Sequence, residues 1–152
     1  MKYSFDTSAL IVPYRHWPGF DLMPSLWNLF NSLIQKGVVV ASREVHVEIS
    51  QKDDELLKWV NDRKGMFIEV DEKQQQIVSE IVNRFPTWID PDSTRNNADP
   101  YVIALAVQHN LVVVSNERGG GPTKPKIPFV CETYHVRHLR IDDFLREVGW
   151  HA

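Results

Sequence analysis

The 152-residue chain has a single cysteine, Cys131, so it can form no internal disulfide and no four-cysteine zinc site. That usage fits a reducing compartment. There is no excess of positive charge. The net charge is -3, which argues against a generally basic nucleic-acid binder while leaving room for a local basic face. Long hydrophobic runs are missing. The longest clearly apolar stretch, Val102 to Val107, is far too short to span a bilayer, and Asp6 interrupts the first apolar residues before they could serve as a signal peptide. These absences lead to the expectation of a soluble cytoplasmic protein with no membrane partner. Three consecutive glycines, Gly119 to Gly121, precede no GK[ST] and so form no phosphate loop; they read as a flexible loop. His135 and His138 form an H-x-x-H pair without a further ligand type nearby, which disfavours zinc.

Apolar residues make up 43% of the chain and charged residues 24%, ordinary for one globular domain over residues 1–152. Strand-like runs and helical patterns alternate. Lys2 to Phe5, Val38 to Ala41 and Leu111 to Val114 read as strands, Phe67 to Val70 as a short one, and Lys126 to Val130 as a weaker one. Leu26, Leu29, Phe30, Leu33 and Ile34 follow helical spacing, with Gly37 where that helix would stop. Ser42, Asp53 and Asp142 stand where they could cap helices, and a further helix follows from Asp71. Pro86 and Pro91 bracket a break, after which "RNNADPYVIALAVQHN" begins a helix apolar all round and therefore central. This alternation implies an α/β fold, a three-layer α/β/α sandwich around a mostly parallel sheet.

Ligands of open parallel sheets bind beyond the carboxyl ends of the strands. Asp6 follows the first strand, and Glu117 lies just past the Leu111 to Val114 strand. Asp99 precedes Pro100 at the start of the central helix, and Glu48 sits on the helix after the second strand. Singly, each has a structural explanation: Asp6 and Asp99 as helix caps, Glu48 and Glu117 as solvated surface. Gathered at one edge, they would repel one another and call for a cation. All-oxygen ligands suit Mg²⁺ or Mn²⁺, and the usual chemistry of such a site is hydrolysis at phosphorus.

"FDTSAL", "VHVEI", "ADPYVIALA" and "VVVSNE" together resemble, in order, the four signatures of the PIN-domain nucleases, and the likeness runs from Tyr3 to Phe144. The nearest flavour is the VapC-type toxins. The resemblance implies a PIN-like fold and a metal-dependent endoribonuclease, the toxin of a toxin–antitoxin pair. It implies Asp6, Glu48, Asp99 and Glu117 as catalytic, metal-binding acids for Mg²⁺ or Mn²⁺, with Ser8 and Ser115 at supporting hydroxyl positions. RNA and a cognate antitoxin are the implied partners, and a homodimer is left open. The pattern departs in two places. Its fourth acid is usually Asp where this chain has the longer Glu117, and Pro100 stands where a small apolar residue is commoner.

Residues 118–140 carry a local charge of +4, five basic residues against Glu132. Arg118, Lys124 and Lys126 are therefore candidates for a nucleic-acid contact, with a solvated loop as the alternative. The aromatics of "YRHWPGF", with Trp27, read as a partly buried loop or a protein contact. Two other functions fit some of these residues: a catalytically silent PIN-like binding module, and an α/β phosphohydrolase using Asp6 as nucleophile, although Ser8 stands where the haloacid dehalogenase type needs a second Asp.

Overall fold

The computed structural model describes residues 1–89 and 97–151. Pro91, and Arg95 and Asn96 of the segment leading into the central helix, lie outside the described residues. In chain order the elements are β1 (Tyr3–Phe5), α1 (Ser8–His16), α2 (Pro24–Gln35), β2 (Val39–Ser42), α3 (Arg43–Lys52), α4 (Asp54–Asn61), β3 (Phe67–Ile68), α5 (Glu72–Arg84), α6 (Asp99–His109), β4 (Val112–Ser115), α7 (Ile127–Thr133), β5 (His138–Arg140) and α8 (Ile141–Glu147). A single turn of 3-10 helix, Lys64–Met66, precedes β3. The five strands form one sheet in the order β3-β2-β1-β4-β5, and every pairing is parallel.

β1 shows how sequence becomes layering. Successive side chains of a strand point to opposite faces. Tyr3 and Phe5 face one way and meet Phe144 of α8 edge-on, at ring separations of 4.9 and 5.1 Å, while Phe5 also meets Phe30 of α2. Ser4 faces the other way, and its hydroxyl donates to the Val102 carbonyl of α6 at 3.0 Å. Helices thus cover both faces, with α6 buried between the sheet and α5. The all-round apolar surface expected for α6 matches this central place.

Local signals set most element ends. Ser42 accepts from the Glu44 amide, Asp53 from those of Glu55 and Leu56, and Asp71 from that of Gln74. α2 stops in a Schellman turn, with Gly37 at φ 73°, its amide donating to the Ile34 carbonyl and that of Val38 to the Leu33 carbonyl. Asp53→Ala is expected to lower stability by about 1 kcal/mol, about 2–4 °C in melting temperature. A melt unchanged by that substitution would show that the cap contributes nothing.

Two expectations are corrected. Lys126 to Val130 is not a strand: it opens α7, because Pro128 has no amide for a ladder and is at home in a first helical turn. The fifth strand is β5, whose residues are all half-buried and carry no apolar run. Asp142 does not cap α8; Arg140 occupies that position, and Asp142 lies in the first turn beside Arg140 and Arg146.

The glycine loop is built around backbone shape. Gly119 and Gly120 have φ values of 73° and 95°, and a Cβ on Gly120 would lie 2.8 Å from the Lys126 amide nitrogen. Gly120→Ala should therefore cost about 1–3 kcal/mol through strain and displacement of α7, readable in a thermal melt; an unchanged melt would contradict it. The "YRHWPGF" aromatics pack mainly inward. Phe20 lies against Tyr14, Trp27 and Trp59, and Trp27 is buried. Among the described residues no helix is long and apolar enough to cross a membrane.

Candidate active site

The strand order creates the cleft. From β1 the chain runs outward through β2 to β3, then returns past β1 to place β4 on its other side. Side chains at the carboxyl ends of β1 and β4 flank that switch point, where open parallel sheets bind ligands. A cleft of about 640 Å³ opens there. Asp6 lines it just past β1, Glu117 just past β4, Asp99 at the first position of α6, and Glu48 from the middle of α3. Four carboxylates separated by up to 111 positions in sequence thus face one space.

Asp6 is the most constrained of the four. It is 3% exposed, and its amide continues the sheet by donating to the Val114 carbonyl. Its Oδ2 accepts from both the amide and the hydroxyl of Ser8, at 3.2 and 2.5 Å. Its Oδ1 is buried and has no hydrogen-bond partner among the described residues. Burial pushes the Asp6 carboxyl up to about 6, against the lowering effect of the Ser8 hydroxyl; the charges of Glu117 and Glu48 push it the same way as burial. Asp99 is raised well above the ordinary carboxylate range, first by burial and then by Asp6, Glu117 and Glu48, with Lys52 acting in the opposite direction. Thr7 Oγ1 is a second buried oxygen in the cleft without a partner among the described residues.

Glu48 and Glu117 direct oxygens to protein partners. Glu48 Oε1 lies 3.4 Å from Lys52 Nζ, and Glu48 Oε2 accepts from the Ala98 amide at 3.1 Å, which fixes the approach to α6. Glu117 Oε2 accepts from the Ile127 amide at 2.9 Å and so holds the start of α7. Among the described residues no group of three or more His, Cys, Asp or Glu side chains is arranged to hold a metal ion directly. In donor type the cleft suits a hard cation: the acids are all oxygen ligands, and Asp6 Oδ1 is a buried carboxylate oxygen without a partner among the described residues.

The two serines brace the ends of the strands. Ser8 Oγ donates to Asp6 and accepts from the Asn116 amide at 2.9 Å, tying the β1 end to the β4 end. Ser115 Oγ accepts from the Glu117 amide at 3.1 Å and lies 2.7 Å from His138 Nε2. Burial lowers the His138 imidazole to about 4, so it is neutral at pH 7. His135 is exposed, with φ 55°, whereas His138 is half-buried.

Arg118, Lys124 and Lys126 are exposed on the loop after β4, and none lines the cleft. Among the described residues, the cations that do are Arg15 and Lys52. Sequence reading passed over both, although Lys52 stands four residues after Glu48, a spacing that puts the two on one helix face. Trp88 and Ile89, beyond the Pro86 break, also line it and carried no sequence signal of their own.

No curated protein matches the chain significantly. Solved structures do. FitAcB from Neisseria gonorrhoeae superposes with a TM-score of 0.55 at 19% identity, covering 91% of this chain and 97% of that one. VapBC2 from Rickettsia felis, solved bound to a DNA fragment from their promoter, gives 0.53 at 16% identity, covering 92% and 98%. At those identities the likeness is one of fold, and the fold is PIN-like, as the four signatures implied. A family model matches residues 3–152, nearly the full length, and the chain belongs to the family described as Domain of unknown function (DUF4411).

Proposed function

We propose that this protein is a Mg²⁺- or Mn²⁺-dependent endoribonuclease, the toxin of a toxin–antitoxin pair. One observation carries the reading: four acids from distant parts of the chain line a single cleft at the switch point of a PIN-like sheet, and one of them, Asp6, is buried with a carboxylate oxygen that has no partner among the described residues. Burying repelling carboxylates costs stability and serves no packing purpose, so the arrangement suits a cation-binding role. The resemblance to VapC-type toxins and the fold shared with VapBC2 support an antitoxin as partner.

Asp6 and Asp99 would hold the cation, with Glu48 and Glu117 completing the acidic wall. What a divalent cation supplies in such a site is a water of lowered pKa and neutralisation of charge developing on the phosphate. The chain's own residues set the stage for that chemistry. Ser8 holds the Asp6 carboxylate in one orientation by two hydrogen bonds to Oδ2, which turns Oδ1 away from them. Ser115, backed by His138, fixes the turn that carries Glu117. Arg118, Lys124 and Lys126 would extend a path for the RNA backbone beyond the cleft.

A second reading has its own observation. Glu48 and Glu117 both serve as structural acceptors, as they would in a catalytically silent PIN-like binding module. Incubating the purified protein with total RNA, with Mg²⁺ or Mn²⁺ and with excess chelator, separates the two. Cleavage that needs the cation supports the nuclease. RNA left intact in every arm, by a protein that still binds RNA, supports the module.

A further inference from the structure

The cleft is not uniformly acidic. Ser8, Ile11, Val12 and Arg15 line it from α1, at spacings of three and four that put them on one helix face. Glu48 and Lys52 line it from α3 in the same way. Both helices carry polar groups beside the carboxylate floor, then a cation farther along: Lys52 one turn beyond Glu48, Arg15 about two turns beyond Ser8. The two meet at their far ends, where Arg15 Nη2 donates to the Lys52 carbonyl at 2.6 Å and Nε to Asp53 Oδ2 at 3.3 Å. Trp88 and Ile89 add a half-buried apolar wall.

We infer that this cleft is a subsite for an unpaired nucleotide, in which Lys52, beside Arg15, takes the phosphate next to the one at the carboxylate floor and Trp88 stacks its base. The inference rests on the nuclease reading and names the residues of this chain that would hold the substrate beside the carboxylates. A polyanion approaching four carboxylates is repelled unless cations lie along its path, and among the described residues Lys52 and Arg15 are the ones in the cleft. Lys52 suits the task because its ammonium carries three donors and its partner, Glu48, is a 3.4 Å ion pair that can be exchanged for a phosphate. An indole exposes a face to any base that is not already paired and stacked, and base–aromatic stacking tolerates every sequence. The cleft volume falls within the range of sites for small ligands, about 300–1,000 Å³, which suits a nucleotide rather than a duplex.

The test uses the full chain and two readouts. On a short single-stranded RNA oligonucleotide with Mg²⁺ or Mn²⁺, Trp88→Ala and Lys52→Gln should each raise KM about tenfold, with a smaller change in kcat. Trp88→Phe and Lys52→Arg should recover most of the loss, which a merely structural defect would not predict. Lys64→Gln, outside the cleft, is the control. Fluorescence anisotropy with the same labelled oligonucleotide, in an Asp6→Asn background that cannot cut it, should show the same tenfold weakening on adding Trp88→Ala. The single strand should bind tighter than its duplex by at least that factor. Equal affinity for the duplex, or KM and Kd values unmoved by both substitutions, overturns the subsite. A wild-type chain that cuts nothing while binding in a Trp88-dependent way overturns the nuclease reading and leaves the subsite standing.

Discussion

Replacing Asp6 with asparagine is expected to abolish RNA cleavage while making the fold more stable. The loss should reach about 10³-fold or more, equivalent to about 4 kcal/mol of transition-state stabilisation. Asparagine keeps the shape and can still accept from the Ser8 amide and hydroxyl, so the β1 end stays in place. What disappears is the negative charge that a divalent cation needs. Stability moves the other way because the native carboxylate is held in an unfavourable place. The gap between about 6 in the folded chain and the ordinary 3.8 corresponds to about 3 kcal/mol against folding at neutral pH. The new amide must itself find a partner where Oδ1 had none, which offsets part of the gain, so a net rise of about 1–2 kcal/mol is expected. A thermal melt and a cleavage assay on one preparation check both halves. A folded Asp6→Asn protein with full activity would remove Asp6 from the reaction; a large drop in melting temperature would show the carboxylate to be structural.

Withdrawing divalent cations is expected to stop cleavage altogether, and acid should imitate that loss in a graded way. Excess chelator should bring the rate to background, and added Mg²⁺ or Mn²⁺ should restore it. Calcium prefers looser coordination and should support little turnover. As pH falls from 7 through about 6, Asp6 takes up a proton; burial and the neighbouring carboxylates raise Asp99 in the same direction. A protonated acid is a weak ligand, so activity should fall across this window and be partly rescued by more metal. Stability should do the opposite. The folded chain holds the Asp6 proton up to about pH 6, whereas the unfolded chain releases it near 3.8. The folded state therefore binds more protons between those values, and this group's contribution to stability grows as pH falls through them. Activity falling while the melting temperature rises is the signature to seek between pH 7 and 5. Full activity in excess chelator would exclude a metal-dependent mechanism at these carboxylates.

Much of this molecule is decided within a few residues of chain. The apolar runs that became β1, β2 and β4, the caps at Ser42, Asp53 and Asp71, and the stop at Gly37 all act over less than two helical turns, so they can be read from the sequence without knowing what lies beside them. The placement of Asp6 after a strand and of Asp99 at a helix start is equally local, and it was enough to direct both toward one edge of a parallel sheet. Other features belong to the tertiary structure. Lys126 to Val130 became a helix partly because Glu117, ten residues earlier, accepts from its first amide. β5 earns its place by pairing with β4, since its own residues carry no strand pattern. The strand order brought Arg15, Lys52 and Trp88 to the wall of an acidic cleft, and burial there raised Asp6 and Asp99. Desolvation, charge coupling and long-range hydrogen bonds depend on distances through space, and those exist only once the five strands have taken their order.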